Sequence, residues 1–178
     1  MITKENYSIE HIEKIREKRK VDRTILERSI YALGLLEALV TVGLPFVFKG
    51  GTSLTLLLDS PKRLSTDIDI VVEPGTNLDK YIEEASKIFP FKSVEQQVRI
   101  GRDNIEKRHY QFLYDSPAFG KEFYILLDVL YEHNNYARLV QKTIDNMLIT
   151  TTEPYEMVTM PTVDCIMGYN RFSSKHCQ

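Results

Sequence analysis

Cysteine is scarce in this chain of 178 residues: the two present, Cys165 and Cys177, are too few and too poorly spaced for a zinc site or a disulfide framework. A reducing, cytoplasmic setting is the expectation. The four histidines, His11, His109, His133 and His176, are scattered without metal-ligand spacing, and His133 reads as a surface residue or as one near a site mouth. An excess of charge is lacking too, because 23 basic residues meet 25 acidic ones for a net charge of -2. That balance gives no global drive toward nucleic acid. Local basic segments at residues 14–20 and 99–108 are interleaved with acids and read as solvated faces. No apolar run is long enough to span a bilayer, since the longest, residues 31–44, is broken by Glu37 and glycines. Residues 1–20 are charged rather than apolar, unlike a secretory leader. Repeats and low-complexity tracts are absent. What remains is an ordinary globular composition, 43% hydrophobic and 27% charged, at a length that suits one domain with a proper core.

Periodicity divides the chain into helices followed by strands. Ile9, Ile12 and Ile15 predict a helix over 8–20, and Asp22 caps a second whose apolar face runs through Ile25, Leu26, Ile30, Leu33, Leu36, Leu39 and Val40. Together they form an N-terminal helical segment of about residues 8–43. A short strand over 45–48, a glycine turn and a helix over 54–58 come next, and the loop 59–66 leads into a strand at Asp67. Beyond it the pattern predicts a helix over 78–89 and strands over 94–100, 110–114 and 123–130, with turns at 101–104 and 116–120. A helix over 135–146, a loop over 150–154 and a last strand over 155–160 complete the layout. The fold class is α+β: a mixed sheet of about five strands flanked by helices, with helices at the N-terminus.

Chemistry concentrates in two adjoining segments. In the first, Lys49-Gly50-Gly51-Thr52-Ser53 lies between the short strand and its helix. Adjacent glycines permit a tight or closely approached backbone there, and a following helix aims its unpaired amides and positive dipole end at an anion. Thr52 or Ser53 is placed as an N-cap or as a hydroxyl ligand to phosphate; the alternative is close strand-to-helix packing alone. The spacing is not that of a Walker A loop. In the second segment, Arg63-Leu64-Ser65-Thr66-Asp67-Ile68-Asp69, the two aspartates face one way from a strand, about 7 Å apart at a rise of about 3.3 Å per residue. Like charges at that spacing call for compensation by a hard divalent cation, Mg²⁺ or Mn²⁺; otherwise they are solvated edge-strand acids or are neutralised by Arg63 or Lys62. A third acid, Asp128, interrupts the apolar run from Ile125 to Leu130. A carboxylate buried there must be paired, bound to metal or at a strand end. Three carboxylates beside a phosphate-binding turn make a site for phosphoryl or nucleotidyl transfer.

These residues resemble the AbiEii/AbiGii nucleotidyltransferase toxins of the AbiE abortive-infection type. The resemblance rests on a Lys-Gly-Gly-Thr-x-Leu turn at 49–54 and on Arg-x-Ser-x-Asp-Ile-Asp at 63–69, and it extends at lower stringency through Asp128 to Pro161-Thr162-Val163. It implies a DNA-polymerase-β-like nucleotidyltransferase domain over residues 1–168. Such a domain uses Mg²⁺ and a nucleoside triphosphate to modify an acceptor, tRNA ends among them or a protein, and is answered by a cognate antitoxin. Carried over, Asp67, Asp69 and Asp128 are the catalytic and metal-binding acids, and Lys49, Gly50, Gly51, Thr52, Ser53, Arg63 and Ser65 line the nucleotide. Members of the family continue into a helical second half and carry Gly-Asp-Lys-Leu where this chain has Gly168-Tyr169-Asn170-Arg171. Residues 169–178 are therefore expected to form an irregular tail, with Arg171 or Lys175 the candidates to stand in for that lysine and the helical domain expected to be missing.

Three functions follow as expectations. The first is a transferase of a toxin–antitoxin system. The second is a catalytically inactive protein that binds nucleotide or antitoxin without turnover. The third, a glycosyltransferase using Asp-x-Asp with a nucleotide sugar, has no need of the upstream Gly-Gly-Thr turn. Arg63 has two candidate roles, holding the triphosphate or locking the loop, and Ser65 either contributes to the site or caps a turn. Lys49 faces either phosphate or solvent.

Overall fold

A computed structural model of the chain describes residues 1–58, 61, 63–97 and 106–169. Helix α1 spans Ile9–Arg19 and starts where the Ser8 hydroxyl accepts the His11 amide at 3.2 Å. Helix α2, Arg23–Thr41, starts where the Asp22 carboxylate accepts the amides of Thr24 and Ile25 at 2.9 and 3.1 Å. Each cap satisfies amides that the first helical turn leaves without a partner. α2 is the spine of the core, with Leu26, Ile30, Leu35, Leu36 and Leu39 fully buried. Full burial of each such side chain contributes about 1.5–3 kcal/mol.

Strand β1 (Val47–Lys49) leads directly into α3 (Gly50–Leu57), and strand β2 is Asp67–Val72. Then come α4 (Asp79–Ser86), β3 (Ser93–Gln97), β4 (Lys107–Asp115) and β5 (Glu122–Tyr131). The five strands form one mixed sheet in the order β1-β2-β5-β4-β3. β2 and β5 run parallel at its centre, and the other neighbours are antiparallel. Alternation gives the two central strands opposite faces. Ile68, Ile70, Ile125 and Leu127 are fully buried on the face that α2 covers, while Asp67, Asp69, Leu126 and Asp128 are only partly buried on the other.

The helix expected over 135–146 is not there. Residues Leu139–Thr143 form strand β6, paired antiparallel with β7 (Met157–Pro161) in a separate two-stranded sheet whose β7 lies beside β1. Local helix propensity in this stretch is a weak preference. It is overridden by a partner strand that opposes Val140 to the fully buried Met160. α3 also begins earlier than expected, at Gly50 itself, so the two glycines form its first turn rather than a loop before it. The last element, α5, is Val163–Tyr169. The expected turn at 101–104, Lys62 and the tail from Asn170 onward, with Arg171, Lys175, His176 and Cys177, lie outside the described residues. Among the described residues no helix is long and apolar enough to cross a membrane.

Candidate functional site

The parallel pairing of β2 with β5 sets Asp69 directly opposite Asp128. On one side β1 places Lys49 opposite Asp69, and on the other β4 places His109 opposite Asp128. A single lateral row, Lys49–Asp69–Asp128–His109, therefore crosses four strands. Since cross-strand partners share a face, all four side chains emerge on the side of the sheet away from α2. They line one cleft of about 400 Å³ together with Lys107 and Glu132. Asp67 lies two residues before Asp69 on the same face.

Gly50 makes the close packing of this row possible. Its φ is +80°, and a Cβ built there lies 2.1 Å from Asp69 Oδ2. Only a residue without a side chain lets α3 start under that carboxylate. Burial pushes the Asp69 carboxyl above the ordinary carboxylate range, the nearby Asp128 and Asp67 push it the same way, and Lys49 opposes the rise. The row thus carries more negative charge than its one lysine offsets.

A second cleft, of about 600 Å³, opens beside Asp67. Gly51, Arg63, Ser65 and Asp67 line it, joined by Arg19 from the end of α1. Gly51 packs closely here as well, since a Cβ on it would meet the Ser65 hydroxyl at 3.0 Å. Arg28 reaches from α2 to within 3.9 Å of Asp67 Oδ1 and lies over the Tyr124 ring, 5.5 Å from its centroid.

The sequence candidates therefore divide. Lys49, Asp69 and Asp128 share the first cleft; Gly51, Arg63, Ser65 and Asp67 share the second; Gly50 lies beneath Asp69. Thr52 and Ser53 belong to neither cleft and are buried, with the Thr52 hydroxyl donating to the Asp67 carbonyl at 2.6 Å and the Ser53 hydroxyl to the Gly50 carbonyl at 2.7 Å. The Thr52 hydroxyl braces the turn against β2 and the Ser53 hydroxyl closes the first turn of α3 on itself. Lys49 lines the first cleft beside Asp69.

Residues that the sequence pattern did not single out complete the site. His109, which the sequence shows only as a histidine without metal-ligand spacing, binds Asp128 Oδ1 through Nδ1 at 2.6 Å. Arg28 and Glu132 are further additions, while Arg19 and Lys107 come from the two basic segments read above as solvated faces and line the clefts instead. The signal for His109 is its parity: Tyr110, Phe112 and Tyr114 are buried on β4, so residues 107, 109 and 111 face the other way. Which of them meets Asp128 depends on the register between β4 and β5, and that is a property of the pairing.

The donor set suits a hard cation. Asp67, Asp69 and Asp128 offer carboxylate oxygens, and the like charges of Asp128 and Asp67 add to the burial that raises the Asp69 carboxyl. Among the described residues no three such side chains are close enough, as they stand, to hold an ion together. Asp67, whose side chain is 46% exposed, is drawn toward Arg28 instead.

The model of one family, described as nucleotidyl transferase AbiEii toxin of a type IV toxin–antitoxin system, matches residues 34–168, which include the whole lining of the first cleft and that of the second except its residues from the N-terminal helices, Arg19 among them. No curated protein matches the chain. Among solved structures, JHP933 from Helicobacter pylori is similar at a TM-score of 0.53 and 18% identity, covering 85% of this chain and 61% of that one. A second H. pylori protein, described as a candidate nucleotidyltransferase, is similar at a TM-score of 0.52 and 18% identity, with 85% and 63% covered. The chain spans about three fifths of the length of these two structures. At such identities the likeness concerns the fold, a mixed sheet with flanking helices of the DNA-polymerase-β-like nucleotidyltransferase class.

Proposed function

Given a chain that belongs to the AbiEii nucleotidyl transferase toxin family, we propose that it transfers a nucleoside monophosphate from a nucleoside triphosphate to an RNA acceptor of the tRNA type or to a protein. It does so with Mg²⁺ or Mn²⁺ as cofactor and under the control of a cognate antitoxin. The observation that carries this reading is the pairing of Asp69 with Asp128 across β2 and β5 inside a cleft that also holds Lys49 and Lys107, with a second cleft beside Asp67 that holds Arg19 and Arg63.

The cleft with Arg19 and Arg63 suits the triphosphate. Arginine offers forked donors to phosphate oxygens, and the first turn of α3, exposed at Gly51, adds backbone amides and the positive end of the helix dipole. Asp67, Asp69 and Asp128 would hold the cation, which when bound neutralises triphosphate charge and lowers the pKa of an attacking hydroxyl. Arg28 keeps Asp67 paired until that carboxylate is drawn inward. The cleft with Lys49, Lys107 and His109 suits the acceptor, whose hydroxyl oxygen forms the new bond to the α-phosphorus. The bond from that phosphorus to the bridging oxygen breaks, pyrophosphate leaves, and the hydroxyl proton passes to solvent.

Incubation with each α-labelled ribonucleoside triphosphate, a divalent cation, and either total tRNA or protein tests this. The expected result is label on one acceptor class, lost in Asp69→Asn and in Asp128→Asn. Saturable triphosphate binding without any transfer supports the non-catalytic binding protein instead. A preference for nucleotide sugars supports the glycosyltransferase.

A further inference from the structure

Two histidine–carboxylate pairs occur among the described residues, and they differ in surroundings. His133 binds Glu73 at 2.7 Å on the open surface, with side chains 80% and 60% exposed. His109 binds Asp128 at 2.6 Å inside the cleft, with side chains 15% and 33% exposed. Exposed pairs of the first kind contribute little. The second is shielded, lies in direct cross-strand register and engages one of the site carboxylates.

We propose that His109 is a positioning residue of the transfer site, holding the Asp128 carboxylate in the one orientation in which its free oxygen serves a cation shared with Asp69. An ionised carboxylate only accepts hydrogen bonds, so Nδ1 carries the hydrogen and donates it to Oδ1. Oδ2 stays outside that bond. The residue is carried in the middle of the sheet: His109 lies in β4 with Asp128 of β5 on one side of it in the ladder and Gln97 of β3 on the other, and its side chain is largely shielded. A side chain anchored in this way limits the rotation of its partner, as residues behind the direct ligands do at metal sites. Without it, Asp128 is a carboxylate on a strand face with no other side-chain hydrogen bond among the described residues to set its rotamer. The inference rests on the reading of Asp69 and Asp128 as cation ligands, and its test separates the two.

Free Mn²⁺ is counted by electron paramagnetic resonance during titration of the wild type and of five variants, and each metal-free protein is also melted. His109→Ala is expected to weaken Mn²⁺ binding about 10- to 100-fold. His109→Asn places an amide nitrogen at the position of Nδ1 and is expected to restore most of the affinity. His109→Gln, whose amide lies one bond further out, is not. His133→Ala is expected to bind as the wild type does, and Asp128→Asn to lose binding. A purely structural role would lower the melting temperature and leave affinity unmoved, which overturns the proposal. So does wild-type affinity in His109→Ala alongside its loss in Asp128→Asn. No saturable Mn²⁺ binding by the wild type overturns the cation reading of the carboxylates, and this inference with it.

Discussion

Gly50 carries two constraints at one position. Its backbone occupies a left-handed conformation that costs an L-residue about 1–2 kcal/mol, and its missing Cβ makes room for the Asp69 carboxylate. Gly50→Ala is therefore expected to lose at least that much stability in chemical denaturation, and to lose the proposed nucleotidyl transfer outright, because either Asp69 or the start of α3 has to move. Asp69 supplies the second prediction at this scale. Its folded pKa lies above the ordinary value of 3.8 because burial and two neighbouring carboxylates disfavour the charged form. The folded state thus binds this proton more tightly than the unfolded chain does, and metal-free stability falls as pH rises from 3.8 through the raised value. Asp69→Asn is expected to remove that fall, so the metal-free variant should melt above the wild type at neutral pH and converge with it in acid. Mn²⁺ affinity of the wild type should decline over the same window as pH is lowered, because proton and cation compete for one carboxylate.

Elements are locked by buried polar contacts as well as by apolar packing. Glu27 of α2 is fully buried, yet its carboxylate accepts the Tyr114 hydroxyl at 3.1 Å, the Ser116 hydroxyl at 3.0 Å and the Ala118 amide at 3.2 Å. It ties the spine helix to the end of β4 and to the turn that leads into β5. Tyr31 of the same helix stacks on Tyr114 at 3.8 Å between ring centroids. Both burial and the nearby Glu27 charge hold the Tyr114 hydroxyl protonated well above the usual tyrosine range, so it remains a donor. Glu27→Ala orphans three donors at about 1–3 kcal/mol each. Its measured destabilisation is expected to reach about 3 kcal/mol, with Glu27→Gln recovering part of it. β5 carries Asp128 as it leaves this turn, so Glu27→Ala should also loosen the register on which the site row depends. Amide exchange of β4 and β5 would report that directly.

For the whole molecule, the site is an assembly of distant parts: residues 49–51, 63–69, 107–109 and 128 converge only when β1, β2, β5 and β4 pair in that order. A ligand that binds this assembly and not the unfolded chain raises stability by mass action. A cation and cognate triphosphate at 100 times their dissociation constant should add about 2.7 kcal/mol, which for a domain of this size is a rise of roughly 5–10 °C. Differential scanning fluorimetry with each triphosphate should show that rise for one base or for several, and no rise in Asp67→Asn or Asp69→Asn.

Reading along the chain already located the apolar spine of α2, the Asp22 cap, the central strands and the three aspartates, because each is expressed in near neighbours at a fixed period. Two residues apart on a strand share a face whatever the strand pairs with, so Asp67 and Asp69 were legible together. Family likeness over 34–168 agrees with what those residues suggested. The rest depended on partners far away in the sequence. β6 is a strand because β7 pairs with it, against its local helical tendency. Thr52 and Ser53 turn inward because the Asp67 and Gly50 carbonyls await their hydroxyls. His109 joins the site because the β4–β5 register sets it opposite Asp128, where a shift of one residue would turn it to the other face. Periodicity, which is local, let the sequence determine which residues are acidic neighbours and which are core; register and packing, which are long-range, left to the tertiary structure the choice of which side chains meet.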